Sequence, residues 1–221
     1  MEDFRKYPKI ETLFERDMEG TKKLIWGRFR NPAVQFLQDS RWVFTEKVDG
    51  TNIRVCWDGY KVFFRGRGDN SSIPTKLIEA LGNSFMGDSN EQIFESLFGE
   101  RPVILYGEGY GGNIQVGEGY RKDVGFVLFD VLINGVYLER DNVQEIAKGF
   151  GVPCVPIILS GTINEAIEFI KKRPNSVLAE GTIPMEGVVG TPEAGLLDRR
   201  GKRIIVKIKA ADFVDECPKS I

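Results

Sequence analysis

The stretch RWVFTEKVDGTNIRVCW, Arg41 to Trp57, sets the frame for the rest of the chain. Its two ends, Arg41 to Glu46 and Ile53 to Trp57, are rich in β-branched and aromatic residues and read as strands. Asp49-Gly50 between them is a tight-turn signal. Lys47 therefore falls at a strand end, held by the scaffold with its amine approachable. A lysine in that place acts as a nucleophile only after losing a proton, because an ammonium has no lone pair to attack with. The same residues also suit a solvated lysine beside a common turn, so the motif alone leaves both readings open.

Downstream, Asp58-Gly59 joins Ile53–Trp57 to Tyr60–Phe64 as a hairpin. That hairpin runs into Arg65-Gly66-Arg67-Gly68, where glycines admit a close ligand and two arginines offer forked donors to phosphate; a basic hairpin tip reads the same way. Thr75–Leu81 and Asn90–Phe98 carry helical spacing and are expected to end at Gly82 and Gly99. Val103–Tyr106 reads as a buried strand delivering Gly107-Glu108-Gly109, either a sugar-hydroxyl or metal ligand or a turn with one exposed acid. Val124–Ile133 reads as a central strand in which Asp130 is costly unless paired, so Phe129-Asp130 is a candidate pocket wall. Asn134-Gly135 turns the chain into Val136–Leu138. Two helices follow, Asp141–Phe150 with a capping pattern at Asp141 and Gln144, and Thr162–Lys172 with a capping box of Thr162 and Glu165. In Arg203–Ala210 a period of two puts Lys207 and Lys209 on one strand face, either a binding surface or a solvated edge.

Composition narrows the chemistry. The 221 residues contain no histidine, which excludes Ser-His-Asp and Cys-His nucleophile pairs and every histidine metal site. Cys56, Cys154 and Cys217 lack zinc or disulfide spacing. The formal net charge of -2 argues against a uniformly basic nucleic-acid-coating surface, although a local groove is compatible with it. No apolar run approaches the roughly 20 residues of a membrane span, and the charged N-terminus is unlike a signal peptide. A cytoplasmic protein is expected, organised as one domain over 1–221 with residues 1–40 as a cover segment within it.

Taken in order, Lys-x-Asp-Gly with Asn52, Arg67, Gly-Glu-Gly, Phe-Asp, Glu186-Gly-Val-Val and Lys207-x-Lys209 form one series. It resembles the covalent nucleotidyltransferase superfamily of ATP-dependent ligases and capping enzymes, and within it the nick-sealing class of phage RNA ligases, in which asparagine stands where Asn52 stands. The resemblance runs from about Glu46 to Lys209. It implies an α+β, antiparallel-sheet nucleotidyltransferase fold of the ATP-grasp-like ligase kind, with the nucleotide between sheets. It implies further that Lys47 takes AMP, that Thr45 and Glu46 line the adenine side, and that Asn52 contacts nucleotide phosphate or the nick. Arg67, or Arg65 in the alternative register, would sit near ribose and phosphate. Glu108 would hold the ribose, Phe129 would stack on adenine, Glu186 would support a metal and the lysine, and Lys207 and Lys209 would bind the triphosphate.

The implied cofactors are ATP with Mg²⁺ or Mn²⁺, and the implied partner is nucleic acid: RNA ends or nicks, or an RNA–DNA hybrid. The expected activity is ATP-dependent joining of 3′-hydroxyl and 5′-phosphate ends through lysyl-AMP. A DNA ligase, a GTP-using capping enzyme and an inactive nucleotide- or nucleic-acid-binding module are the competing readings. Asn52 counts against the first two, and the complete charged set counts against the third. Members of the superfamily usually carry a further C-terminal domain, whereas only Ala211–Ile221 follow Lys209; a partner chain or a dimer in its place is the matching expectation.

Overall fold

The alternating and continuous apolar runs form eleven strands in the computed structural model, which describes residues 4–115 and 119–216. In chain order these are β1 (Phe14–Arg16), β2 (Leu24–Phe29), β3 (Trp42–Lys47), β4 (Thr51–Trp57), β5 (Val62–Arg65) and β6 (Val103–Tyr110). They continue with β7 (Gly125–Ile133), β8 (Val136–Tyr137), β9 (Ile157–Gly161), β10 (Gly187–Pro192) and β11 (Val206–Lys209). The helices are α1 (Pro32–Phe36), α2 (Thr75–Phe85), α3 (Asp88–Phe98), α4 (Arg140–Gly149) and α5 (Ile163–Lys171), and a 3-10 helix covers Ala210–Glu216. Cys217 lies outside the described residues.

The chain divides into two compact units. The first comprises Met1–Pro8, Asp49–Val155 and Ala179–Gly181; the second comprises Lys9–Val48, Pro156–Leu178 and Thr182–Ile221. Residues 1–40 are thus shared between the two. Because the division falls between Val48 and Asp49, β3 and β4 belong to different sheets, and Asp49-Gly50 links units rather than closing a hairpin.

The first unit is a five-stranded antiparallel sheet in the order β5-β4-β6-β7-β8. The Asp58-Gly59 and Asn134-Gly135 turns join neighbouring strands as expected. Odd-numbered residues of β4 and β6 (Ile53, Val55, Trp57, Val103, Leu105) bury against α2, α3 and α4 in one cluster. Helix α2 contributes Leu77, Leu81 and Phe85, spaced by one helical turn each, and α3 stacks Phe94 on Trp57 with ring centroids 5.3 Å apart. Helix α2 does not stop at Gly82 but continues to Phe85, because burying that ring outweighs the roughly 1 kcal/mol that a glycine costs inside a helix. The capping pattern at Asp141 and Gln144 is likewise unused: α4 starts one residue earlier, with Glu139 at its N-cap and no side-chain hydrogen bond there.

The second unit is built on a four-stranded antiparallel sheet in the order β11-β10-β3-β9, with β1 and β2 as a separate pair. One face carries Trp42, Phe44, Val188, Val206 and Ile208, and α5 packs Ile163, Ala166, Ile167 and Ile170 into the same cluster. The Thr162–Glu165 capping box starts α5 as the sequence predicts. Both units are α+β with antiparallel sheets. Among the described residues no helix is long and apolar enough to cross a membrane.

Candidate active site

On the sheet of the second unit, β10 lies between β3 and β11 in the register Lys47–Gly187–Lys209 and Thr45–Val189–Lys207. Residues opposite one another on neighbouring strands point to the same face. Thr45, Lys47, Lys207 and Lys209 therefore share one face, and the apolar side chains that cluster with α5 take the other. Gly187 leaves an open position between the two lysines, and the tight pairing requires it, since a Cβ there would collide with the Ile208 carbonyl oxygen. Glu186, just before β10, fills the gap. Its Oε2 lies 2.5 Å from Lys47 Nζ and its Oε1 lies 2.7 Å from Lys209 Nζ.

Three lysines against one carboxylate make an anion-attracting face. The Lys207 ammonium is held below its ordinary pKa by burial first, and then by the charges of Lys47 and Lys209, with Glu11 and Glu186 opposing. The edge strand carrying it is covered by the segment at Glu11-Thr12, whose Glu11 carbonyl accepts from the Lys207 amide at 3.0 Å. Thr45 is buried, and its hydroxyl donates to the Val189 carbonyl at 3.4 Å. Glu186 is the carboxylate that pairs with Lys47 and Lys209, and among the described residues there is no group of three or more potential metal-ligand side chains. A single oxygen donor of this kind fits Mg²⁺ or Mn²⁺, which take most of their ligands from water and substrate phosphate.

Glu46 is placed differently. It sits opposite Val188, which sits opposite Ile208, so its side chain points to the apolar face, away from Lys47. Its carboxylate accepts from the Ser176 hydroxyl and from the backbone N–H groups of Val177 (2.9 Å) and Leu178 (3.4 Å).

The first unit holds the remaining expected residues. Asn52 on β4 is opposite Glu108 on β6, and Glu108 is opposite Val127 on β7, so these three share a face. Gly50, at the start of this unit, approaches the Gly109 carbonyl so closely that a Cβ would overlap it. Phe129 is the extra residue of a bulge in β7, since Tyr106 pairs with Asp130 and Gly107 with Leu128. Its ring meets Tyr7 edge-on with centroids 4.9 Å apart. Tyr7 also donates its hydroxyl to Asp130 Oδ2 at 2.8 Å, which supplies the partner a charge inside that strand needs. Arg65 lies over Phe63 and Phe4, at 5.3 and 5.9 Å from the ring centroids, while Arg67 is exposed in the following loop.

Sequence reasoning missed Arg54, the side chain that organises this region. It is fully buried, and it donates from Nε and Nη2 to the Gly66 carbonyl (3.1 and 2.9 Å), from Nη1 to the Phe4 carbonyl (2.5 Å) and from Nη2 to Asp69 Oδ1 (3.0 Å). A signal was present: in Ile53-Arg54-Val55-Cys56-Trp57 an arginine occupies an alternate position of an otherwise apolar strand. Ser176 and Tyr7 had no comparable signal, because their partners are distant in sequence. Thus the second unit brings together Lys47, Glu186, Lys207, Lys209 and Thr45, whereas Glu46 turns its side chain to the opposite face. Asn52, Glu108, Phe129, Arg65 and Arg67 belong to the first unit.

A family model described as RNA ligase matches residues 40–209. No curated protein matches the chain in sequence. Among solved structures the chain is similar to a Naegleria gruberi RNA ligase with PPi, at a TM-score of 0.66 and 21% identity, covering 96% of this chain and 58% of that one. It is similar to a mutant of that ligase with AMP and Mn (TM-score 0.67, 17% identity, 96% and 58% covered). A further mutant with ATP and Mn gives a TM-score of 0.62 at 20% identity, with 82% and 52% covered. The chain therefore spans between 52% and 58% of the length of these ligases. At such identities the likeness is one of fold, the α+β fold with antiparallel sheets that the series of motifs implied. The family match is broader than the lysine cluster and contains all of it, from Lys47 to Lys209, and on that match the chain belongs to the RNA ligase family.

Proposed function

We propose that the chain catalyses ATP-dependent joining of RNA 3′-hydroxyl and 5′-phosphate ends through a lysyl-AMP intermediate on Lys47. The observation that carries this reading is the cluster on one sheet face in which Glu186 bridges Lys47 and Lys209, with Lys207 beside them. In the first step the Lys47 amine, having given up a proton, attacks the α-phosphorus of ATP. A P–N bond forms, the bond to the bridging oxygen breaks, and pyrophosphate leaves. In the second step an oxygen of the RNA 5′-phosphate attacks the AMP phosphorus, and the Lys47 amine departs. In the third the 3′-hydroxyl attacks that 5′-phosphate, the phosphodiester forms and AMP leaves. All three are phosphoryl-type transfers that depend on positioning and charge more than on acid–base groups, which suits a chain without histidine.

Lys207 and Lys209 would hold the triphosphate and stabilise charge on departing pyrophosphate. Glu186 would orient Lys47 and offer an oxygen to Mg²⁺ or Mn²⁺, which supplies further charge neutralisation on the triphosphate when bound. Thr45 would line the nucleotide from β3. Asn52 and Glu108, paired across β4 and β6, would contact phosphate and ribose hydroxyls. Phe129 would offer its ring to adenine, and Arg67 or Arg65 would serve the phosphates as a forked donor. The solved ligases similar to this chain, with ATP and Mn, with AMP and Mn and with PPi, are in keeping with these ligands.

Incubation with α-labelled ATP or GTP and Mg²⁺, with one portion denatured in SDS for detection of label and a native portion given nicked RNA with 3′-hydroxyl and 5′-phosphate ends, tests the reading. Label from ATP that stays on the denatured protein, resists alkali and is released by hot acid as a phosphoramidate is, together with sealed RNA, is expected. Label from GTP alone, or none from either nucleotide, overturns it.

A further inference from the structure

We infer that Glu46 is a positioning residue which, from the face of the sheet opposite the lysines, fixes the connection that delivers Glu186 to Lys47. The segment 174–185 links α5 to β10 and folds back on itself. The Ser176 amide donates to the Ile183 carbonyl at 2.9 Å, the Met185 amide donates to the Pro174 carbonyl at 2.8 Å, and Asn175 bridges Pro184. The outgoing arm of this loop is where Glu46 binds, and the returning arm ends at Glu186.

Glu46 is 2% exposed, and its strand neighbours on that face are Val188 and, beyond it, Ile208. A carboxylate in such a place is costly unless its oxygens meet donors. Here one oxygen takes the Ser176 hydroxyl and the other takes the amides of Val177 and Leu178. Those two amides belong to a loop, where no strand or helix partner supplies an acceptor. The arrangement satisfies both sides at once. Its consequence is geometric: the backbone of Glu46 carries Lys47 as its next residue, while its side chain holds the loop that ends in the partner of Lys47. Both members of the 2.5 Å ion pair are therefore referred to a single residue. A side chain on this face is turned away from the lysines, so its influence on chemistry passes through Glu186.

This inference rests on the lysyl-AMP reading above, and the experiment separates the two. Glu46→Gln preserves shape but removes the charge and leaves one acceptor oxygen where the carboxylate has two, so either the Val177 and Leu178 amides or the Ser176 hydroxyl lose their acceptor. With ATP and Mg²⁺, the variant is expected to form lysyl-AMP with kcat lowered about 10-fold to 100-fold, the scale of a misplaced reacting group, and with KM for ATP little changed. In a Glu186→Gln background the same substitution is expected to add less than about 2-fold, because residues acting through one another are not additive. Amide exchange at Val177, Leu178 and 186–188 should rise in Glu46→Gln, and Ser176→Ala, which removes one donor, should give a smaller change in the same direction. A raised KM with kcat unchanged, or effects of Glu46→Gln and Glu186→Gln that simply multiply, would overturn the inference. Failure of the wild type to take label overturns the lysyl-AMP reading instead; the exchange data then decide alone whether Glu46 fixes the segment, and unchanged exchange would sink it.

Discussion

The lysine face of the four-stranded sheet and the core of the five-stranded sheet treat charge in opposite ways. On the four-stranded sheet, Lys47, Lys207 and Lys209 stay partly exposed on one face, and Glu186 just before β10 pairs with Lys47 and Lys209. In the five-stranded sheet the central charge, Arg54, is fully buried and spends its donors on backbone carbonyls of Gly66 and Phe4 as well as on Asp69. Partly exposed pairs contribute little to folding, whereas a buried guanidinium is tolerable only because it organises the backbone around it. Under the proposed function the first set of charges serves chemistry and the second architecture, and substitutions should divide accordingly.

The largest effect belongs to Lys47. Lys47→Ala should abolish covalent labelling by ATP, and Lys47→Arg should fail to restore it, since a guanidinium stays protonated. Both variants should still join RNA that already carries AMP on its 5′ end, which gel analysis of a pre-adenylated nick checks. Next come Lys209→Ala and Lys207→Ala, expected to slow adenylylation strongly while shifting the melting temperature little, as measured by label transfer and thermal unfolding on one preparation. Large destabilisation with normal labelling would reverse the division between the two sheets.

Arg54→Met should behave in the opposite sense. It leaves the carbonyls of Gly66 and Phe4 without their donor, at a cost of about 2 to 3 kcal/mol in unfolding free energy by urea titration. A variant as stable as the wild type would contradict the architectural role.

The smallest effect is a pH dependence carried by Lys207. Its folded pKa is depressed below the ordinary 10.5, by burial first and then by Lys47 and Lys209, with Glu11 and Glu186 opposing. Between the depressed value and 10.5 the unfolded chain holds a proton that the folded chain has released, so stability contributed by this group rises with pH across that window. Lys207→Met should remove that rise, visible in urea unfolding as a flatter pH dependence of stability in the variant than in the wild type as the pH approaches 10.5.

Much of this division can be read from residue order, and some of it cannot. Period-two alternation in Arg203–Ala210 places Lys207 and Lys209 on one face, and the β-branched flanks of Lys47 set its strand. The same alternation, applied one residue earlier, turns the Glu46 side chain to the face opposite Lys47. What the pattern does not contain is the partner of a buried charge. Ser176 meets Glu46 across 130 residues, and the Phe4 carbonyl meets Arg54 across 50, so neither follows from local spacing. Gly82 misleads for a related reason: its local preference is to end a helix, and the burial of Phe85 extends it. Asp49-Gly50 reads as a tight turn, whereas the structure has only a bend at Gly50, because β3 and β4 join different sheets through pairings with β9, β10, β5 and β6.

The central claim is that the face shared by Lys47, Lys207 and Lys209 is where ATP is cleaved, with Lys47 as the attacking group. The most direct measurement is intact-mass and peptide-mass analysis of wild-type protein incubated with ATP and Mg²⁺. A single AMP per chain, located on the peptide at Lys47, is the predicted result. An adduct on any other residue, or one that persists in Lys47→Ala, would contradict the account.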